Sequence, residues 1–364
     1  MKILIIEPYF TGSHKQWAES YKRNSSHNIK ILSLKGQFWK WRMHGGAITL
    51  SKMFNAIDWL PDLIFATDML DLNTFLSLTR NKSNGIPTAI YFHENQLSYP
   101  WSPSDRDIKN KRDSHYGFIN YSSALAADKV FFNSEFHMES FFNALNPFLK
   151  QFPDYQELDT IDIIKEKSEV LFLGMDLIRF RKHILTKKSR PNILWNHRWE
   201  YDKNPESFFR ILKKVKEKGN DFGLVILGES FSKNPKVFEE SKEEFKNHIE
   251  HWGYVDSFKE YSNWLWKSHI IPVTSNQDFF GGSVMEAIYC GVWPILPNRL
   301  TYPELIPKKF HKDNIYNTDK ELLEKICWAL KNFKMLNQST LVSLSEQFDW
   351  QLMAPEYDKK LKAI

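Results

Sequence analysis

The sequence has little cysteine. Cys290 and Cys327 are the two in 364 residues, and no metal-ligand spacing surrounds them, which excludes a disulfide framework and a clustered zinc site. No apolar run approaches the roughly 20 residues needed to cross a bilayer. The apolar run at residues 3–6 is too short for the core of a signal peptide and reads as a first strand. Internal repeats and low-complexity segments are missing, as is the glycine fingerprint of dinucleotide-binding folds. Nor does either sign of charge dominate: 49 Lys and Arg against 44 Asp and Glu leave +5, with a pI near 8.8. That balance permits an anionic partner without requiring one. Together these absences set the expectation of a soluble globular protein in a reducing, cytoplasmic setting, with no membrane span.

What is present is aromatic and apolar. The 13 Trp and 28 Phe, in a chain that is 42% hydrophobic, exclude a disordered protein, and the length suits two domains with separate cores.

The most informative stretch runs from Asp278 through Phe280, Gly281 and Gly282 to Glu286, followed by a buried apolar run at 292–296. It reads as a helix opened by two glycines and followed by a strand. The free N–H groups of a helix start, with no side-chain bulk at Gly281 and Gly282, suit the oxygens of a phosphate. Asp278 precedes the helix and faces whatever hangs from that phosphate. Glu286 lies more than one turn inside, too deep to cap the helix but able to accept hydrogen bonds from vicinal hydroxyls such as those of a ribose. The set fits a sugar nucleotide; a glycine-started helix with solvated acids is the plain alternative.

The rest of the chain gives this stretch its setting. Short apolar runs at 3–6, 63–66, 88–92, 129–132 and 170–175, and again at 192–195, 222–227 and 270–273, alternate with helical patterns. Two successive β-α-β series follow, which predicts an α/β protein of two doubly wound domains, each with its ligand loops at the C-terminal strand ends. The loop after the first strand carries Gly12 and Ser13, whose amides can meet a ligand or merely make a tight turn. The run at 88–92 leads into His93, Glu94, Asn95 and Gln96, four polar residues at a strand end. Trp39, Lys40, Trp41, Arg42 and His44 form an aromatic and cationic tract that can stack unpaired bases and hold phosphates, or else bury its tryptophans and solvate its cations. Arg198 and Lys203 sit in the loop after the run at 192–195, where two cations can neutralise a diphosphate or pair with Glu200 and Asp202 at the surface. Ser134 is placed to cap a helix. The charged stretch at 109–112 reads as a solvated face that could also touch an anionic acceptor, and the basic run at 179–190 as a solvated linker.

The spacing of Asp278, Phe280, Gly281 and Glu286 resembles the signature of retaining GT-B glycosyltransferases, which usually carry Glu where this chain has Asp278. Arg198 and Lys203 match the arginine and lysine five apart in that pattern. The resemblance implies two Rossmann-like domains facing across a cleft: residues 1–175 for the acceptor, 176–346 for the nucleotide sugar, and a helix at 347–364 crossing back to the first. It also implies diphosphate ligation by Arg198 and Lys203, and ribose binding by Glu286. Contact with the donor sugar falls to Asp278 and the amides of Phe280 and Gly281, with His93 near that sugar. Over nearly the whole chain, the tracts 7–17, 38–49, 93–99, 196–205 and 279–291 resemble the tRNA-queuosine α-mannosyltransferase family. That likeness implies GDP-mannose as donor and the cyclopentene-diol of queuosine in a tRNA(Asp) anticodon as acceptor.

The resulting site expectation has His93, Arg198, Lys203 and Asp278 as catalytic residues. Gly12, Ser13, Phe280, Gly281, Gly282 and Glu286 are expected on the donor, and Trp39, Lys40, Trp41, Arg42, His44, Asn95 and Gln96 on the acceptor. No metal or cofactor is expected, because the cations and the helix start can carry the leaving charge. Two other readings fit the same residues: a GT-B enzyme using another nucleotide sugar for lipid-linked or surface glycans, and a non-catalytic module that binds RNA or a nucleotide sugar.

Overall fold

The structure, a computed structural model, describes residues 1–102, 107, 115–187, 189–229, 235–336 and 339–364. The charged stretch at 109–112 and Lys188 of the basic run lie outside the described residues. The chain divides into two compact units, Met1–Met175 with Trp350–Ile364, and Asp176–Asp349.

The first unit holds a parallel sheet of β1 (Lys2–Phe10), β2 (Asn28–Lys35), β3 (Leu63–Thr67), β4 (Thr88–Phe92), β5 (Lys129–Phe132) and β6 (Ser168–Val170), in the order β2-β1-β3-β4-β5-β6. Its strands are apolar on both faces because both are covered. Ile3, Ile5, Phe65, Tyr91 and Phe131 point to one core, and their neighbours Leu4, Ile6, Ile64, Ala66, Ile90, Phe92 and Phe132 to the other. This is the two-residue period of a strand. Ser134 caps the helix Glu135–Leu149 by accepting from the His137 amide at 3.0 Å.

The helix Trp350–Lys362 completes the first core from the far end of the chain. Trp350, Met353, Ala354, Tyr357 and Leu361 are buried against the strands. Asp358 accepts from the Tyr21 hydroxyl at 2.8 Å and from the Ser26 amide and hydroxyl at 2.7 Å each. This helix also explains why the run at 170–175 is not the strand its composition predicts. The strand stops at Val170, and the backbone beyond it turns to other partners: Leu171 and Phe172 carbonyls accept from the Tyr91 and Tyr357 hydroxyls, and Met175 from the Trp350 amide.

The second unit repeats the plan with β7 (Asn192–Asn196), β8 (Gly223–Leu227), β9 (Ile249–Trp252), β10 (Ile270–Pro272), β11 (Trp293–Pro297) and β12 (Ile315–Tyr316), in the order β12-β11-β10-β7-β8-β9. The chain moves outward from β7 to β9, then returns to the other side of β7 at β10. The order therefore reverses between β7 and β10, where doubly wound sheets open a crevice beyond the strand ends. The basic run at 179–190 begins in this unit as a 3-10 turn, Ile178–His183, not as a solvated linker. Phe180 is fully buried and its carbonyl accepts from the Trp266 indole; the charge around it conceals an apolar anchor.

Candidate active site

The loops after β7 and β10 meet at the reversal point of the second sheet. From the first come His197, Arg198 and Lys203; from the second come Asp278, Phe280 and Gly281 and the start of the helix Gly282–Tyr289. Gly281 has φ +79°, a left-handed conformation that disfavours any side chain, and a Cβ there would come within 3.1 Å of the Tyr302 ring. The glycine thus turns the loop into the helix and leaves the first helical amides uncovered by a side chain.

Lys203 and Arg198 differ in their surroundings. Lys203 is buried, with Nζ donating to the Gln277 carbonyl at 2.6 Å and lying 3.2 Å from both Asp202 and Asp278. It is a fixed charge, not a solvated surface pair. Arg198 is about half exposed and meets Glu200 at 3.1 Å, an ion pair near the surface that is weak beside the buried contacts of Lys203. Asp278 has both oxygens engaged, Oδ1 by Lys203 and Oδ2 by the Tyr302 hydroxyl at 2.6 Å. Burial pushes its carboxyl up, but Lys203, His197 and the Tyr302 hydrogen bond outweigh burial and hold it below the ordinary carboxylate value.

Glu286 lies in the middle of the helix with Oε2 accepting from the Tyr261 hydroxyl at 2.6 Å and Oε1 3.6 Å from Arg179. Burial raises its carboxyl above the usual value despite these two partners. Tyr261 is in turn held by the Asn196 amide at 2.9 Å. Arg179, whose guanidinium lies 3.9 Å over the Phe258 ring, is a site neighbour that the sequence concealed in its basic run. Phe280 is buried edge-on against Phe348, which leaves its backbone as the part able to meet a ligand.

The first unit carries a second polar cluster at the ends of β1, β3 and β4. His93 donates its amide to buried Asp68 at 2.8 Å, and its carbonyl accepts from Asn133 at 2.9 Å. Its ring lies 4.4 Å from that of His14 and edge-on to Trp17 at 4.7 Å. Burial, with the His14 and His137 charges, pushes His93 well below the ordinary imidazole value. His14 takes the opposite course. Burial alone would lower it, but fully buried Glu7, 2.9 Å from Nδ1, and the more distant Asp68 and Glu94 raise it to about 9. Glu7, His14 and His93 offer one ligand atom each within 4.8 Å of one another. Two of those three residues, Glu7 and His14, already share a hydrogen bond, which favours a proton-sharing pair over a cation cage.

The remaining expected residues divide between surface and scaffold. Gly12 and Ser13 are exposed at the start of the helix Gly12–Asn24, where Thr11 leaves the first amides uncapped by its side chain. Trp41 is 63% exposed at the start of the helix Trp39–Ala56. Trp39 instead packs on Tyr116 at 5.2 Å, and Lys40 lies over Trp39, Trp101 and Tyr116 while pairing with Asp107. Arg42 donates to the Lys35 carbonyl, and His44 stacks on His115 at 4.5 Å. Gln96 donates to Glu94 at 2.9 Å. Asn95, expected on the acceptor, is fully buried. Its side-chain oxygen accepts from the Leu97 and Ser98 amides, so it shapes the turn that presents its neighbours.

Residues 2–175 match the family profile described as tRNA-queuosine alpha-mannosyltransferase N-terminal, and residues 178–340 match glycosyl transferases group 1. A Drosophila melanogaster protein named tRNA-queuosine alpha-mannosyltransferase is 35% identical over 334 residues, covering 89% of this chain and 85% of that protein. The chain belongs to the tRNA-queuosine α-mannosyltransferase family. Its second unit is a group 1 glycosyltransferase domain, and the chain is a glycosyltransferase.

Solved structures bear out the two-domain α/β architecture of this family member. The Anabaena protein HepE in complex with UDP and glucose aligns with a TM-score of 0.67 at 14% identity over 100% of both chains. Sucrose-phosphate synthase from Thermosynechococcus elongatus aligns with a TM-score of 0.69 at 12% identity, covering 100% of this chain and 98% of that one. At such identities the likeness is one of fold.

Proposed function

We propose that this glycosyltransferase moves mannose from GDP-mannose to the cyclopentene-diol of queuosine in the anticodon of tRNA(Asp), with retention at the anomeric carbon. The identity to the Drosophila melanogaster tRNA-queuosine alpha-mannosyltransferase carries the reading of donor sugar and acceptor. The geometry of the second unit supports the chemistry. As the bond from sugar to phosphate breaks, the sugar becomes oxocarbenium-like and negative charge grows on the diphosphate. Lys203, fixed by two carboxylates and a carbonyl, half-exposed Arg198, and the open amides after Gly281 all favour that charge. The reading needs no metal or cofactor for this step. In it, Glu286 holds the ribose hydroxyls and Asp278 meets the sugar.

The first unit supplies the acceptor surface in this reading. Trp41 offers an exposed aromatic face for an unpaired base, and Arg42 and the stacked pair His44 and His115 lie along or beside the same helix. His93 is neutral and positions a hydroxyl. Among the described residues no helix is long and apolar enough to cross a membrane, and the acceptor assigns the enzyme to the cytoplasm.

The test is incubation of the purified protein with GDP-mannose and queuosine-containing tRNA, followed by nucleoside mass analysis. A hexose added to queuosine is expected. Transfer only from another nucleotide sugar, or only to a non-nucleoside acceptor, would replace this reading.

A further inference from the structure

One side chain of the donor corner has no role in the reading above. His197 follows β7 directly and is 5% exposed. Its Nδ1 lies 3.3 Å from the hydroxyl of Ser283, in the first turn of the helix Gly282–Tyr289. Its Nε2 is buried and has no hydrogen-bond partner among the described residues. The backbone there is tightly fixed: the His197 carbonyl accepts from the Trp195 indole at 2.9 Å, and a Cβ on Gly228 would lie 2.0 Å from that carbonyl oxygen. A buried polar atom left unpaired is disfavoured and calls for a partner.

The neighbouring carboxylate does not supply that partner. Asp278 already gives one oxygen to Lys203 and the other to the Tyr302 hydroxyl. With the Ser283 hydroxyl donating to Nδ1, the ring proton sits on Nε2 and makes that atom an N–H donor. Burial drives the imidazole down to about 4, so the ring is neutral near pH 7. The helix start beside it and the Lys203 ammonium both favour a negative group.

We propose that the Nε2–H of His197 is a hydrogen-bond donor to the sugar-bearing phosphoryl group of a bound nucleoside diphosphate sugar. The proposal rests on the donor reading above and adds a ligand to it. In the transfer, the bond between the anomeric carbon and the phosphoryl oxygen breaks, and the electron pair stays on that oxygen. A new bond forms from the anomeric carbon to the acceptor oxygen, whose proton leaves to the phosphate. His197 keeps its own proton throughout; its hydrogen bond strengthens as the oxygen gains charge.

The test uses the full chain and calorimetric binding of GDP and GMP. His197→Leu keeps the bulk and removes the N–H, whereas His197→Gln retains an amide N–H near the position of Nε2. His197→Leu is expected to weaken GDP about tenfold or more, the usual effect of losing a hydrogen bond to a charged group, and to change GMP far less. His197→Gln is expected to restore most of the GDP affinity, and kcat should follow GDP affinity across the variants. Should His197→Leu fail to fold, His197→Asn takes its place, because its shorter amide ends before Nε2. Unchanged GDP affinity, or an equal loss for GDP and GMP, would show that His197 only packs. A wild-type chain that binds no nucleoside diphosphate would overturn the donor reading itself; one that prefers UDP leaves the comparison to be made with UDP and UMP.

Discussion

Lys203 Nζ lies 3.2 Å from Asp278 Oδ1, joining the loop after β7 to the loop after β10. Both groups are largely shielded from water, so the pair fixes the crevice as well as equipping it. Replacing Lys203 with Met leaves Asp202 and Asp278 facing each other without a cation. A loss of about 3–5 kcal/mol in unfolding free energy is expected for such a stranded buried charge, together with loss of nucleotide binding. Urea unfolding of the variant beside the wild type measures the first, and a midpoint within error of the wild type would show the pair to be incidental.

Arg198 separates activity from stability. It is about half exposed and its contact with Glu200 lies at the surface, so Arg198→Ala should leave the unfolding midpoint almost unchanged. Turnover should fall by roughly a hundredfold or more, as when one preorganised donor to a developing charge is lost. Steady-state kinetics with saturating donor decide it, and near-normal turnover would remove Arg198 from the site.

The Glu7 and His14 pair gives the first unit a pH signature. His14 is raised from 6.5 to about 9 in the folded chain, so the native state holds its proton more tightly than the unfolded state. That contribution is present in full below pH 6.5 and is lost as the pH rises through about 9. Glu7→Gln removes the main source of the rise. Its melting temperature should therefore decline less between pH 6.5 and 9 than that of the wild type, and parallel curves would assign the slope elsewhere.

Trp41 is the cleanest probe of the proposed acceptor surface, because Trp39 and Lys40 also hold the fold together through Tyr116, Trp101 and Asp107. Trp41→Ala should weaken tRNA binding by about tenfold to a hundredfold, the range of one base-stacking contact, and leave GDP binding intact. Filter binding for tRNA and calorimetry for GDP give the two readouts. An equal loss in both would mean that Trp41 supports the helix, where its ring lies over Gly45.

How far the sequence alone reached depends on how each segment is buried. Strands β1, β3, β4, β5, β7, β8, β10 and β11 announce themselves as unbroken apolar runs because helices cover both faces. By contrast, β2 alternates buried and exposed residues, β9 is half-buried throughout, and β12 spans two residues; none offers such a run. Arg198, Lys203, Asp278 and Gly281 stand out because spacing around a strand end and a glycine carries their meaning. His197 and Arg179 do not, since one is masked by adjacent Arg198 and the other by the basic run that follows. Their signal is positional: only the reversal of strand order, and a buried Phe180 beneath the charges, shows which way they face. Asn95 carries a role its residue type alone does not announce, because a polar side chain at a strand end serves a turn as readily as a ligand, and its oxygen accepts from the Leu97 and Ser98 amides.

The return of Trp350–Lys362 to the first sheet has a consequence for biosynthesis. The rings of Trp17, Tyr21 and Tyr91 precede the second unit in the chain, yet the residues that shelter them, Trp350 and Tyr357, follow it. A vectorially growing chain must therefore synthesise the unit Asp176–Asp349 before the unit that precedes it can close. A fragment stopped at residue 175 would carry an uncovered aromatic face and depend on chaperones to stay dispersed.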